Sequence, residues 1–384
     1  MTEPLRVLML GDYSDDPIRT AGGVAAANDA LARGLAAEDA VEKVLVIDVR
    51  KRPPPSLTIG DKIEVRFLKV PFVNGDSLIR SWFAVQSVRK IVRSFRPHVV
   101  HAHGINRFGD IATQLDLPSV VTVHGMVHME ARLTERSLLS PLKIWSLDRI
   151  VKSLLAKARV VISISDYDAR TLGAWIKGQR VSIPNAVPDA FFKAFCPPST
   201  EPVVVFAGLM RERKNVLGLV NAFVRVHEAI PNARLKILGP TYDEGYLAVV
   251  KARVSETGLD KAVDFLGHVE TDTLIAALAG GTALALFSRE ETLPTIIAQA
   301  MAMGRPVVAS DVGGISSMIA EGESGYLVAS EDEAALAERL ITVLRDPALA
   351  RRMGEAGAVA ARERYTAASV VQRTLAAYRL AISG

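Results

Sequence analysis

The alternation of short apolar runs with longer helical patterns is the feature that most limits what this chain can fold into. In the first half, apolar runs at 6–10 and 44–49 flank a helical pattern at 22–37. The same rhythm continues through three more runs: 99–101, 119–123 and 160–163. Strand, helix, strand units of this kind build parallel sheets with helices on both faces. The first half therefore predicts a doubly wound α/β domain.

The second half restarts the rhythm and predicts a second domain of the same type. Its apolar runs are 203–207, 235–238, 263–266, 283–287 and 306–309. Between the halves lies the stretch 184–202, which is rich in proline and predicts a linker. At 384 residues the chain is long enough for two cores. We expect two Rossmann-like domains facing a cleft, an N-terminal one at 1–190 and a C-terminal one at 191–365. The segment 366–384 is expected to be a helix that packs back on the N-terminal domain.

Cysteine usage and charge limit the compartment and the partners. Cys196 is the only cysteine, so no internal disulfide forms, and neither a signal peptide nor a run of 18 apolar residues is recognisable. These features predict a cytoplasmic protein. Residues 1–190 carry 26 Lys and Arg against 20 Asp and Glu, whereas residues 191–384 carry 20 against 22. The basic half favours an anionic partner, either a phosphorylated acceptor or peripheral contact with the inner membrane face, although ordinary solvated cations explain it equally well. We expect no nucleic-acid partner.

Strand exits are the first places to look for a site, because ligands of open parallel sheets bind at the carboxyl ends of the strands. The first exit reads GDYSDDPIRTAGGV, where Gly22 and Gly23 precede a helix and let a phosphate or sugar approach the backbone. The exit has neither the G-x-G-x-x-G of dinucleotide folds nor the G-K-[ST] of a P-loop. Donor contact and a simple tight turn both remain open here.

The exit after 283–287 carries the strongest signal and reads SREETLPTIIAQAMAMGRPVVAS. Glu291 lies in the loop, and Pro294 suits the start of the helix that follows. Backbone N–H groups available to a diphosphate are expected at Thr292, Leu293 and Thr295. The Glu291 carboxylate accepts hydrogen bonds and therefore suits sugar hydroxyls rather than phosphate. The alternative is an acidic loop before an amphipathic helix.

This segment resembles the donor-binding signature of the retaining glycosyltransferases of family 4, which have the GT-B fold. In that signature two glutamates are separated by seven residues and followed by A-M-A-x-G-x-P-V-V-A. Residues 300–309 match the run, and further motifs stand in family order: AGGV at 21–24, TVHG at 122–125, SIPNAV at 182–187, RKN at 213–215, FLGHV at 265–269 and DVGG at 311–314. The resemblance extends over nearly the whole chain.

The resemblance implies an enzyme that moves a sugar from a nucleotide-diphosphate sugar, UDP or GDP among the candidates, to an acceptor hydroxyl with retention of configuration. It implies no metal and no further cofactor. Lys214 matches the family's diphosphate lysine, Glu291 the first glutamate, and His124 the position that faces the donor sugar. His268 and Val269 belong to a turn beside the donor. The acceptor, whether glycan, lipid or small molecule, is expected on the N-terminal domain.

Two positions depart from the family pattern. Gln299 stands where the second glutamate holds ribose hydroxyls, and replacing a charged acceptor by a neutral one weakens such a bond by about 1 kcal/mol. Leu209 stands where an arginine commonly binds the diphosphate, and Arg211 or Arg213 is expected to compensate. A catalytically degenerate nucleotide-sugar binder therefore stays open, as does another enzyme on the same scaffold, a phosphorylase or an epimerase.

Two residue clusters raise the question of a metal. Four histidines, His101, His103, His124 and His128, lie near two strand exits. We expect His101 and His103 to point to opposite faces of their strand, which argues against a metal site. Asp166 and Asp168 form a D-x-D, but a helix start with Ser165 or Asp166 as N-cap explains them better.

The segments 77–96 and 132–159 are basic and carry apolar residues at helical spacing. In a doubly wound domain such a stripe normally packs on the sheet. Interfacial contact with a membrane is the alternative.

Overall fold

The computed structural model describes residues 3–15, 23–70, 81–126, 129 and 140–384. The chain divides into two compact units, Met1–Ala186 with Ala367–Gly384, and Val187–Thr366, called here the N-terminal and C-terminal domains. The first boundary lies after Ala186 rather than after residue 190. Both domains are parallel-sheet α/β units, so the predicted fold class, two Rossmann-like domains of GT-B type, is confirmed.

The N-terminal domain has an eight-stranded sheet of order β3-β4-β2-β1-β5-β6-β7-β8. Its strands are β1 Leu5–Leu10, β2 Val41–Arg50, β3 Leu57–Ile59, β4 Ile63–Lys69, β5 Val99–His103, β6 Ser119–Val123, β7 Val160–Ser163 and β8 Gln179–Ser182. All neighbours pair in parallel except β3 with β4. The five residues of β5 and of β6 are all buried, as expected of strands covered on both faces.

Helices cover both faces of this sheet. They are α1 Gly23–Ala36, α2 Trp82–Phe95, α3 Arg107–Ala112, α4 Ser140–Lys157, α5 Asp166–Leu172 and, from the end of the chain, α13 Ala367–Ser383. Apolar residues of α2, α3 and α4 pack on one face, and those of α1 and α13 on the other. Helices α1 and α13 approach closely, since a Cβ on Gly34 would lie 2.6 Å from Cγ2 of Val371.

Most of the apolar residues predicted to form a stripe on α2 pack in or against the core of the N-terminal domain. Val85 and Val88 are buried, whereas Trp82 and Phe83 at the start of the helix are exposed. Among the described residues, no helix is both long and apolar enough to cross a bilayer.

The C-terminal domain has a six-stranded parallel sheet of order β11-β10-β9-β12-β13-β14. Its strands are β9 Val203–Ala207, β10 Arg234–Leu238, β11 Val263–Gly267, β12 Ala283–Leu286, β13 Val307–Ser310 and β14 Gly325–Val328. Its helices are α6 Asp189–Lys193, α7 Val216–Ala229, α8 Glu244–Glu256, α9 Thr271–Ala279, α10 Thr295–Ala302, α11 Glu333–Arg345 and α12 Pro347–Tyr365. Because β9 lies between β10 and β12, its exit loop meets the exits of both.

Candidate active site

Lys214 and Glu291 meet at the carboxyl edge of the C-terminal sheet. Lys214 ends the 3₁₀ turn Glu212–Lys214 after β9, and Glu291 lies in the loop after the neighbouring strand β12. Nζ of Lys214 donates to Oε1 of Glu291, and the two side chains are only 12% and 6% exposed. A cation and a carboxylate predicted separately from the sequence thus form one largely buried ion pair.

Further contacts hold the Glu291 carboxylate and its backbone. Oγ of Ser288 donates to Oε1 at 2.8 Å, and Nη1 of Arg213 lies 3.9 Å from Oε2. The Glu291 carbonyl accepts from the N–H of Gly314 at 3.1 Å. A Cβ on Gly313, whose φ is +59°, would lie 1.7 Å from that carbonyl oxygen. Glycine at 313 therefore allows the DVGG loop to lie directly against the Glu291 backbone.

The two arginines predicted to compensate for Leu209 behave differently. Nη1 of Arg213 donates to the Glu290 carbonyl at 2.9 Å, which keeps this guanidinium beside the Glu291 carboxylate. Arg211 is exposed, and its guanidinium carbon lies 5.9 Å from the centre of the Tyr242 ring. Arg213 is thus the arginine that the structure brings to the pair.

Asn215 orients the turn that carries Lys214. Its φ of 48° is left-handed, and its Oδ1 caps α7 by accepting from the N–H of Gly218 at 3.3 Å. Asn tolerates this backbone conformation better than most residues and is a favoured N-cap. The asparagine of the RKN motif could have indicated this capping role, but no role was predicted for Asn215 from the sequence.

The start of α10 presents backbone donors next to the ion pair. Pro294 is the N-cap and offers no side-chain hydrogen bond. Within the described part of the chain, no protein acceptor is found for the N–H groups of Thr292, Leu293 and Thr295. Free N–H groups at a helix start, with the positive end of the helix dipole, are suited to phosphate oxygens.

Gln299 lies one turn after Thr295 on α10, and both are half-buried. Residues four apart share a helix face, so the side chains of Thr295 and Gln299 lie on the same side of α10.

The exits of β9, β10 and β11 lie side by side. Gly239 has a φ of +134°, its N–H donates to the Gly267 carbonyl at 2.7 Å, and a Cβ there would lie 1.8 Å from the Gly208 carbonyl oxygen. His268 is exposed and Val269 half-buried, directly after this contact. The predicted turn thus belongs to the same edge of the sheet, while no hydrogen bond or ion pair joins His268 or Val269 to Lys214.

The N-terminal domain holds a histidine cluster in which His101 and His103 are buried and His124 is half-buried. The prediction that His101 and His103 point to opposite faces was wrong: residues two apart along a strand share a face, and these rings lie 4.1 Å apart. Nδ1 of His101 lies 2.9 Å from the Tyr378 hydroxyl, and Nε2 lies 2.7 Å from Oγ1 of Thr122. His103 Nδ1 lies 3.0 Å from His124 Nε2.

Burial keeps these histidines neutral. It lowers the pKa of His101 to about 3 and that of His124 to about 4, and it holds the pKa of His103 well below its ordinary range. Beside the rings lies a cavity of about 20 Å³, whose polar lining includes Asn28, Asn185 and Thr374. Sequence reasoning missed these lining residues, because they come from distant parts of the chain.

Among the other predicted positions, Gly23 is the first residue of α1, whereas Gly22 and His128 lie outside the described residues.

Ser165 is the N-cap of α5 and forms a capping box with Asp168, which confirms the helix-start interpretation of the D-x-D. Among the described residues, no group of three or more His, Cys, Asp or Glu side chains has the arrangement of a metal site.

Two parallel-sheet α/β domains of this kind have the GT-B fold, and the cations and free amides lie at the carboxyl edge of the second domain. Residues 189–359 match the family model "Glycosyl transferases group 1", and residues 22–186 match "Glycosyl transferase 4-like domain". The two ranges together cover most of the chain, which therefore belongs to the GT-B glycosyltransferases.

Relatives of known name cover different shares of the chain. The chain is 28% identical over 342 residues to the glycogen synthase of Mycobacterium tuberculosis, covering 86% of this chain and 77% of that protein. It is 32% identical over 173 residues to the D-inositol 3-phosphate glycosyltransferase of Corynebacterium efficiens, covering 44% and 41%. The second match thus spans less than half of either protein.

Solved structures share the fold at low sequence identity. The sucrose-phosphate synthase of Thermosynechococcus elongatus matches with a TM-score of 0.81 and 21% identity over 99% of each chain. Anabaena HepE, solved in complex with UDP and glucose, matches with a TM-score of 0.71 and 18% identity, covering 97% of this chain and 98% of that one.

Proposed function

We propose that the protein transfers a sugar from a nucleotide-diphosphate sugar to an acceptor hydroxyl, with the donor bound on the C-terminal domain. The observation that carries the proposal is the Lys214–Glu291 ion pair beside the free N–H groups at the start of α10. In the proposed complex, Lys214 and these amides bind the diphosphate, and Glu291 accepts from sugar hydroxyls. The UDP bound in HepE is consistent with a donor of this class.

The charge around the pair is suited to this division of roles. Lys214 and Arg213 contribute two positive charges against the single negative charge of Glu291, so an anion is attracted although the lysine is already paired. An ammonium has three donors and can contact a phosphate while keeping its bond to Glu291. Positive charge fixed where the leaving diphosphate gains negative charge lowers the barrier to transfer.

We further propose that transfer retains the anomeric configuration and requires no metal. Glu291 is engaged by Lys214 and Ser288, which suits it to orienting a sugar rather than to attacking it. We therefore nominate no protein nucleophile and propose that the departing diphosphate assists deprotonation of the acceptor. His124 is proposed to contact the donor sugar. The ribose side of the donor is assigned to Gln299, and the turn with His268 and Val269 lies along the same sheet edge.

The test combines ligand binding with turnover. Thermal unfolding of the full chain is measured with UDP, GDP and ADP and with their sugars, because a ligand that binds the folded form raises the transition temperature. The best donor is then incubated with an acceptor panel in the presence of EDTA, and NMR reads the anomeric configuration of the product. Transfer with retention supports the proposal, and inversion or dependence on metal contradicts it. Binding without hydrolysis or transfer favours a degenerate binder.

For the N-terminal domain we propose peripheral contact with an anionic membrane surface on the cytoplasmic side. Trp82 on α2 and Trp145 on α4 are 54% and 55% exposed, and the Arg149 guanidinium lies 4.9 Å from the centre of the Trp145 ring. Tryptophan beside arginine is suited to a lipid headgroup layer. Cosedimentation with phosphatidylglycerol vesicles, but not with phosphatidylcholine, is expected, and Trp82→Ser with Trp145→Ser should abolish it. Equal binding of the double variant contradicts the contact.

A further inference from the structure

Arg289 joins the two loops that carry Lys214 and Glu291. It lies two positions before Glu291, in the loop after β12. Its backbone N–H donates to the Arg213 carbonyl at 2.8 Å, and its Nη1 donates to the Glu212 carbonyl at 2.9 Å. Both carbonyls belong to the 3₁₀ turn that ends at Lys214. Arg289 therefore holds, from one loop, the backbone of the turn that carries the lysine on the other.

The Glu212 carbonyl is the point at which the guanidinium fixes this turn. The carbonyl accepts from the N–H of Asn215 at 3.0 Å and from Nη1 of Arg289 at 2.9 Å. A carbonyl oxygen has two lone pairs, so both are used. Because Lys214 lies only two residues further along the turn, the position of this carbonyl limits where the ammonium can lie.

A carboxylate from a third loop holds Arg289 itself. Nε of Arg289 donates to Oε1 of Glu331 at 2.6 Å, and Glu331 lies in the loop between β14 and α11. Glu331 has a φ of 69°, a left-handed conformation that is uncommon for a residue of this type. The guanidinium is planar and rigid, so the contact at Nε also directs Nη1 toward Glu212.

The charges around Arg289 suit it to holding the turn rather than to binding phosphate. Its guanidinium nitrogens lie 2.6 Å from Oε1 of Glu331 and 3.7 Å from Oε1 of Glu212, so one cation faces two carboxylates. At the Lys214–Glu291 pair, by contrast, two cations face one carboxylate. A diphosphate is therefore attracted to Lys214 more strongly than to Arg289.

We propose that Arg289 is a positioning residue of the donor site. Its guanidinium holds the turn Glu212–Lys214 against the loop with Glu291, so that the Lys214 ammonium stays where the diphosphate binds. Arg289 acts through Lys214 and does not touch the ligand. The consequence for donor binding rests on the proposed function, whereas the coupling between Arg289 and Lys214 does not.

A double-mutant cycle separates positioning from direct contact with the ligand. Isothermal titration with the best-bound of UDP, GDP and ADP is carried out on the full chain as wild type, Arg289→Ala, Lys214→Ala and the double variant. Arg289→Ala keeps the backbone N–H and removes only the side-chain contacts. It should weaken binding by about fivefold, the value of one hydrogen bond, when Lys214 is present, and should have little effect when Lys214 is already alanine.

Two results of this titration would overturn the proposal. Equal weakening by Arg289→Ala in both backgrounds would mean that Arg289 contacts the ligand by itself. Unchanged binding by Arg289→Ala with Lys214 present would mean that the guanidinium does not position the lysine.

Kinetics and stoichiometry distinguish positioning from general damage to the fold. A partly unfolded variant has fewer binding sites and a lower kcat, whereas a misplaced Lys214 weakens the affinity of every site and raises the KM of the donor. In Arg289→Ala we expect the donor KM to rise by about fivefold with the acceptor KM unchanged. A loss confined to kcat and to the number of sites would contradict the proposal.

Arg234→Ala is the matched control for these measurements. Arg234 also lies in a partly exposed ion pair of the C-terminal domain, with its Nη2 2.9 Å from both carboxylate oxygens of Asp264. It begins β10 and therefore lies at the amino edge of the sheet, away from the strand exits. Its removal should change neither the affinity nor the donor KM.

Denaturant unfolding of the same four proteins tests the coupling without a ligand. If Arg289 fixes the turn that holds Lys214 beside Glu291, the double variant should lose less stability than the sum of the two single losses. Additive losses would overturn the proposal. If UDP, GDP and ADP all fail to bind, the proposed function fails, while the unfolding cycle still decides the role of Arg289. Arg289→Met, which also has no donor, replaces Arg289→Ala if the alanine variant is not folded.

Discussion

Lys214 donates to Glu291 across two neighbouring strand exits, so the cation expected to bind the diphosphate is already paired with the carboxylate expected to bind the sugar. This pairing keeps a mostly buried ammonium and a buried carboxylate neutralised as a pair when no donor is present. It also means that each group influences what the other binds.

The Glu291→Gln variant separates the effect of the Glu291 charge on phosphate binding by Lys214 from the role of Glu291 in binding sugar hydroxyls. The substitution keeps an acceptor for sugar hydroxyls but frees Lys214 from its counter-charge. We expect free nucleoside diphosphate to bind about threefold more tightly and to show a steeper dependence on salt, whereas transfer falls by tenfold or so. Calorimetry and steady-state kinetics measure the two effects. Weaker binding of the free diphosphate would contradict the assigned roles.

Gly313→Ala tests the contact that supports Glu291. The new Cβ would lie 1.7 Å from the Glu291 carbonyl oxygen at a φ of +59°. Gly322→Ala is the matched control, because Gly322 has a φ of +77° but open space around its Cβ position. Denaturant unfolding should give a loss of about 1 kcal/mol for Gly322→Ala and at least about 3 kcal/mol for Gly313→Ala. Equal losses of stability in the two variants would contradict this, because they would mean that the DVGG loop can shift away from the Glu291 carbonyl without cost.

The buried histidines predict how stability depends on pH. Their folded pKa values lie below the ordinary value near 6.5, so the unfolded chain takes up protons first as the pH falls. Their stabilisation is complete above about pH 6.5 and is lost progressively toward pH 4 for His124 and pH 3 for His101. Denaturant midpoints between pH 7.5 and 4.5 measure this loss. His124→Gln should flatten the slope, and an unchanged slope would assign the loss to other groups.

Gln299→Glu restores the charged acceptor of the family pattern. If Gln299 holds ribose hydroxyls, the charge-assisted bonds should strengthen binding of the nucleotide by about 1 kcal/mol, or roughly fivefold. Gln299→Leu should weaken binding by a similar factor. Titration with the nucleoside diphosphate of the best donor measures both. Weaker binding by Gln299→Glu would place position 299 next to phosphate instead.

The sequence predicts the two sheets well, because buried parallel strands leave runs such as 203–207 and 119–123 that few other structures explain. The meeting of Lys214 and Glu291 follows from the rule that strand exits share one edge. The prediction for His101 and His103 was wrong because it placed residues two apart along a strand on opposite faces. The contact of His101 with Tyr378 could not be predicted from the sequence, since Tyr378 lies 277 positions away and joins His101 only because α13 returns to the first domain.

Lys214 and the amides at the start of α10 are proposed to bind one pyrophosphate. Isothermal titration with the nucleoside diphosphate that stabilises the full chain most, among UDP, GDP and ADP, tests it directly. Lys214→Ala should weaken binding by tenfold or more, because a cation facing phosphate is lost, while the exposed Lys261→Ala binds like the wild type. Unchanged affinity in Lys214→Ala would contradict the account.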